Sequence, residues 1–204
     1  MLLAEILSDN DFDSRVQGLA LKLRKKLGID APVYQLGVVV DNVETAAEKL
    51  ERKGMKPFLL LGGSAERWSE RGVDGHMRSR LGFGYHRGIE IELLEPGEGT
   101  DFYRRSLDQR GRPLIQHLGF LVKDVDAWAN KLVNAGYPVY VRGKLGMGPL
   151  SIDFAYMDTE RDDGLILEFI SHRFLGIWFK PPIWFQQLLG LIEKKTGKRC
   201  IDVG

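Results

Sequence analysis

Two short apolar runs, 33–40 and 116–122, are each followed by a stretch in which apolar residues recur every three or four positions. The first run is also rich in β-branched residues. Such runs predict strands buried on both faces, and the recurrence predicts helices packed against them. The first helix starts at Asp41 or Asn42, runs to about Lys53 and ends at Gly54. The second covers 124–135 and ends at Gly136. Three strands are predicted after each helix: 56–61, 77–85 and 89–94 in the first half, and about 138–142, 151–157 and 164–170 in the second. Residues 62–75 read as a polar loop, Pro96-Gly97 as a turn, and 97–114 as a charged connector with a short helix over 101–108. Before this core, Val16, Ala20, Leu23 and Leu27 recur at helical spacing and predict a helix over 10–28 that stops at Gly28. After it, Phe174, Ile177, Trp178, Phe179, Ile183, Trp184 and Phe185 form an aromatic and aliphatic cluster, followed by an amphipathic segment, 186–195.

The two halves repeat one another. Gln35-Leu36-Gly37 answers His117-Leu118-Gly119, an offset of 117 − 35 = 82 residues. At the same offset Val43 answers Val125, Ala47 answers Ala129, Lys49-Leu50 answers Lys131-Leu132, and Gly54 answers Gly136. Two copies are too few for a solenoid and point to a duplicated half-domain. Each half has too few strands to cover its own faces, so the halves are expected to pack side by side. The division predicted is an N-terminal helical extension (1–32), a core (33–171, with modules 33–96 and 115–171) and a C-terminal extension (172–204).

Composition narrows the function. The net charge is +1 and basic residues have acidic neighbours, so nucleic acid is not an expected partner. No apolar run is long enough for a membrane-spanning helix, and the N-terminus lacks the basic leader of a secretory signal. The single cysteine, Cys200, rules out an intrachain disulfide and a cysteine-built zinc site, and suits a reducing, cytoplasmic location.

Matched positions in a duplicated structure occupy related places in space. The first strands begin with Gln35 and His117. The last strands carry apolar-flanked carboxylates, Glu92 and Glu168, at an offset of 168 − 92 = 76. A buried carboxylate is costly unless paired or bound to a metal. Two beside an imidazole call for a cation between them. Alternation puts Glu90 on the face of Glu92, and one of the two is expected at solvent. Arg78, Arg80, His86, Arg87 and Arg142 are candidates for anion binding, and 143–148 reads as a hairpin connection. His76 and His172 read as structural or surface residues.

With these signatures, the duplicated strand–helix–three-strand plan resembles the vicinal oxygen chelate superfamily, which includes glyoxalase I, methylmalonyl-CoA epimerase and extradiol dioxygenases. The resemblance covers roughly 33–171. It implies an α+β fold in which two βαβββ modules form a cupped mixed sheet around one divalent metal. The metal would be held by Gln35, Glu92, His117 and Glu168. The set resembles a zinc-type glyoxalase I site; zinc is expected first, with nickel, cobalt or manganese as alternatives. A single histidine disfavours oxygen-activating iron. The implied chemistry is proton abstraction beside a carbonyl or thioester through a metal-stabilised enediolate, with Glu168 the first candidate base and Glu92 the second. An isomerase, epimerase or lyase of a small molecule, working as a homodimer, is the expectation. The arginine and asparagine that hold glutathione in glyoxalase I are replaced by Val39 and Pro96, against lactoylglutathione lyase proper. The other alternative is a metal-free, bleomycin-resistance-like binder.

Overall fold

The computed structural model describes residues 1–8 and 10–204, apart from the Asp163 side chain. Three short helices, α1 (Leu3–Leu7), α2 (Phe12–Gly18) and α3 (Leu21–Leu27), lead into β1 (Gln35–Val39) and α4 (Val43–Arg52). The first half continues with β2 (Leu59–Ser64), β3 (Arg67–Glu70), β4 (Val73–Gly75), β5 (Arg78–His86) and β6 (Ile89–Glu98). The second comprises β7 (Leu114–Leu121), α5 (Val125–Asn134), β8 (Val139–Met147), β9 (Leu150–Met157), α6 (Glu160–Asp163) and β10 (Ile166–Phe174). A two-residue strand β11 (Ile177–Trp178), helix α7 (Ile183–Thr196) and β12 (Ile201–Asp202) complete the chain.

All the strands belong to one mixed sheet, ordered β12-β2-β5-β6-β1-β7-β10-β9-β8-β3-β4, with β11 paired to β10. The halves meet where β1 runs antiparallel to β7, and each first strand runs parallel to the last strand of its own half. The sheet is strongly curled. β2 lies near one end of the strand order and β3 near the other, yet only residues 65 and 66 join them. The two ends of the sheet therefore come together and make a cup.

Alternation sorts the side chains between two cores. Leu36, Val38, Ile91, Leu93, Leu118, Phe120, Leu167 and Phe169 face α4, α5 and the N-terminal helices. Val39, Leu94, Phe154, Tyr156 and Ile166 belong to the cluster inside the cup. Both faces are buried, which is why the strands read as nearly continuous apolar runs. The two outer helices begin alike: the Asn42 side chain accepts a hydrogen bond from the Thr45 N–H, and Asp124 accepts one from Ala127.

Several elements differ from expectation. The helix predicted over 10–28 is broken between α2 and α3, where Leu19 is extended and Ala20 is left-handed (φ 51°). The break lets Val16, Leu23 and Leu27 all reach the core. The loop predicted over 62–75 contains the β3–β4 hairpin, turned at Arg71-Gly72 with both residues at positive φ. It is held across the cup by β3–β8 pairing and by Trp68, which is buried against Phe102, Tyr103 and Phe154. The connector has only a 3₁₀ turn, Arg104–Ser106, because Phe102 and Tyr103 plug the cup. β6 continues through Pro96-Gly97 instead of turning there. Residues 143–147 form part of β8. Among the described residues, no helix is long and apolar enough to cross a membrane.

Candidate metal centre

Three ligand atoms converge where the halves meet, and Gln35 lines the cavity beside them. His117 on β7 is fully buried, with Nε2 3.1 Å from Glu168 Oε2 on β10 and 3.3 Å from Glu92 Oε2 on β6. Neither approach has hydrogen-bond alignment: these three atoms, and Gln35 Oε1 on β1, are buried without a hydrogen-bond partner. The ligand atoms of Glu92, His117 and Glu168 all lie within 4.8 Å of one another. At that range, two ionised carboxylates repel by about 3 kcal/mol at an effective dielectric near 20. Each unsatisfied buried group costs roughly 1–3 kcal/mol more. A divalent cation removes both penalties, so the donors present fit one: three oxygens and an imidazole nitrogen suit zinc, nickel, cobalt or manganese.

The Q-L-G and H-L-G repeats explain the geometry. Gly37 pairs with His117 and Gln35 pairs with Gly119. A Cβ on residue 37 would come 1.8 Å from the imidazole, and one on residue 119 would come 2.7 Å from Gln35 Oε1. Each polar side chain therefore lies over the other module's glycine. The next strands bring Glu92 beside Gly37 and Glu168 beside Gly119. The register shift between β1 and β7 leaves Gln116 as an extra residue next to His117. The Gln116 amide nitrogen donates to Phe102 O and Ser106 Oγ, leaving its oxygen to face His117 Nδ1 at 3.3 Å. Nδ1 thus carries a proton, and Nε2 is the atom presented to the centre.

Without a cation, the same crowding moves protons. Burial alone would lower the His117 pKa, but the carboxylates of Glu168 and Glu92 outweigh it and raise the value to about 9. Burial raises the Glu92 pKa, as does its nearness to Glu168. Burial, with the carboxylates nearby, pushes the Tyr103 and Tyr156 hydroxyls well above their usual range, so both stay neutral. The Tyr156 ring meets His117 edge-on at 5.0 Å, and its hydroxyl lies 3.3 Å from that of Tyr103.

A cavity of about 20 Å³ adjoins the centre, lined by Gln35, Glu92 and Glu168 and walled by Met77, Phe83, Leu145, Ile152 and the two tyrosines. His172 also lines it. That excludes the surface half of its reading as a structural or surface residue: two strand periods after Glu168, it falls on the same face, is only 5 % exposed, and is driven by burial to a pKa of about 4. Glu90 is a second correction. Both Glu90 and Glu92 are buried, because β6 is an inner strand and α7 folds over its concave side through Gln186. Burial raises the Glu90 pKa to about 7. The anion-binding candidates do not reach the centre. Arg78 pairs with Asp202, Arg80 with Glu44 and Glu95, and Arg142 with Asp126 and Asp153, while Arg87 donates to Asn10 O. His86 packs against Phe12. Val39 is buried in the cup beside Leu94, an apolar lining where a glutathione-binding cation would be needed.

Residues 34–156 match the sequence model of the Glyoxalase/Bleomycin resistance protein/Dioxygenase superfamily. The chain belongs to this superfamily. Solved structures similar to this superfamily member include methylmalonyl-CoA epimerase from Mycobacterium tuberculosis, 19% identical over 67% of this chain and 84% of that one (TM-score 0.44). Another is methylmalonyl-CoA epimerase in complex with methylmalonyl-CoA and NH4+, 16% identical over 69% and 93% (TM-score 0.48). A mutant 4-hydroxymandelate synthase from Streptomyces coelicolor is 14% identical over 80% and 54% (TM-score 0.49). No curated protein matches the sequence.

Proposed function

We propose that the chain is a divalent-metal-dependent isomerase, epimerase or lyase that removes a proton beside a carbonyl or thioester. The observation that carries this reading is the convergence of three buried ligand atoms without hydrogen bonds, from Glu92, His117 and Glu168, in a cavity that Gln35, its Oε1 also buried and unpartnered, lines with the two carboxylates. A metal-free binder has no use for two such carboxylates around an imidazole. A divalent ion held there, zinc first, supplies Lewis-acid polarisation of a substrate carbonyl and stabilises the charge that develops on its oxygen. Glu168 is the first candidate to take the proton. Glu92, on the other side of His117 Nε2, is placed to return one. The neutral hydroxyls of Tyr103 and Tyr156 are donors, and the apolar walls exclude water. At about 20 Å³ the cavity has room for about one water. A substrate therefore enters by separating Leu145 and Ile152, on the β8–β9 hairpin, from Met77 and Phe83.

The test is carbon-bound deuterium exchange in D2O. The metal-loaded protein is offered a panel of 2-oxoaldehyde thiol adducts and acyl-CoA epimers. Exchange of one substrate, lowered at least about a hundredfold in Glu168→Gln, is the expected result. No exchange across the panel, with metal bound, leaves a binding protein.

A homodimer is part of this proposal. α7 turns Gln186 and Glu193 inward and leaves Trp184, Phe185, Leu188 and Ile192 outward, between 44 % and 65 % exposed. An antiparallel pairing of two copies would cover this stripe and bring Trp184 of one towards Lys195 of the other. Sedimentation should show a dimer for the wild type and a monomer for Leu188→Glu; a monomeric wild type contradicts the pairing. The free thiol of Cys200 suits the cytoplasm.

A further inference from the structure

The two halves differ at one position beside the centre. On β6, Gln35 is paired with Glu90; on β10, His117 is paired with Ile166. The second half thus has an apolar residue where the first has a fully buried carboxylate. The difference matches what each polar side chain needs. The imidazole is oriented by Gln116 at its far nitrogen. The Gln35 amide has two ends of nearly equal shape, and only its oxygen can serve a cation. The Glu90 carboxyl, whose Oε2 is held by donors, presents Oε1 as an acceptor and so selects the nitrogen end.

Gln35 Nε2 donates to Glu90 Oε1 at 2.8 Å, while Gln35 Oε1 is left buried and unpartnered over Gly119. Glu90 is itself held by donors to its other oxygen: Tyr85 Oη at 2.6 Å, Gln186 Nε2 at 3.2 Å and Tyr34 Oη at 3.4 Å. Tyr85 Oη also contacts Gln186 Oε1. These anchors come from β5, α7 and the segment before β1.

We propose that Glu90 is a positioning residue that turns the Gln35 amide so that its oxygen faces Glu92, His117 and Glu168. The inference rests on the metal-binding reading above. Glu90 touches no metal or substrate and acts through Gln35; Gln186 makes α7 part of the same device.

The test uses cobalt(II) as the probe, with affinity from chelator competition and coordination from the visible spectrum. Gln35→Ala and Glu90→Ala are each expected to weaken cobalt binding roughly 10- to 100-fold and to give the same altered spectrum. In the Gln35→Ala background, Glu90→Ala should add no further loss. Glu90→Gln keeps the volume, but its amide can present nitrogen as well as oxygen to Gln35, so it should also weaken cobalt binding and move the spectrum towards that of Gln35→Ala. If Glu90→Ala does not fold, Glu90→Leu, which fills the volume, is read in its place. Wild-type affinity and spectrum in that variant would overturn the inference, as would equal losses with and without Gln35. A wild type that binds no cobalt would overturn the metal reading itself, which is a separate outcome.

Discussion

His117→Ala should abolish stoichiometric divalent-metal binding and also make the metal-free protein less stable at pH 8 by about 3–5 kcal/mol, the scale for removing one partner of a buried ionic cluster. The imidazole is the only nitrogen among the four candidate donors, and its Nε2 lies within 3.3 Å of the carboxylates of Glu92 and Glu168. Without it, two buried carboxylates within 4.8 Å share no cation or proton donor. The loss should shrink at pH 5, where one of the carboxyls takes up a proton. Chemical denaturation of both proteins in a chelator at the two pH values checks the effect. A loss of the same size at both would point to a packing defect instead. Gly37 needs no compensation in this variant, since the side chain above it has only been shortened.

The second large effect is the pH dependence of the metal-free wild type. Glu90 has a folded pKa raised from 4.5 to about 7. Its stabilising contribution is complete below pH 4.5 and is lost as pH rises through 7. His117 is raised from 6.5 to about 9. Its contribution is complete below pH 6.5 and is lost as pH rises through 9. Both terms have the same sign, but His172, lowered from 6.5 to about 4, has the opposite one and offsets Glu90 below pH 6.5, so unfolding free energy in chelator should stay nearly level from pH 4.5 to 6.5 and fall from there to pH 9. The slope approaches about 1.4 kcal/mol per pH unit for each group within its own window. Saturating metal should flatten the His117 part of the curve, because the cation takes the place of the proton on Nε2. It should also stabilise the fold by about 4 kcal/mol at a thousand times its dissociation constant. Denaturation midpoints across this range, with and without zinc, measure both. A metal-free protein most stable at pH 8 to 9 would contradict the electrostatic account.

Legibility in the sequence followed the range of the interactions. The modules were readable because Q-L-G and H-L-G head the same strand–helix unit 82 residues apart, and because strand order alone matched Glu92 with Glu168. Where a residue's environment depended on a distant segment, the pattern was insufficient. Glu90 alternates with Glu92 on one face, but its burial requires Gln186, 96 residues later, to fold over it. Gln116 orients His117 only because of a register shift with β1. The 62–75 loop reading missed β3 and β4 because the partner of β3, β8, lies in the other half; the Arg71-Gly72 turn was the local signal for that hairpin. His172 was within reach of simple alternation from Glu168. α7 inverts the usual rule by turning half-buried Gln186 and buried Glu193 inward, the Glu193 carboxylate accepting the Leu60 N–H, so no apolar periodicity could place it.

The most direct measurement is the metal content of the purified, tag-free protein after reconstitution with zinc, by inductively coupled plasma mass spectrometry, with His117→Ala and Glu168→Ala alongside. About one divalent ion per chain in the wild type, and none in either variant, is the predicted result. A wild type that retains no zinc, nickel, cobalt or manganese would contradict the account.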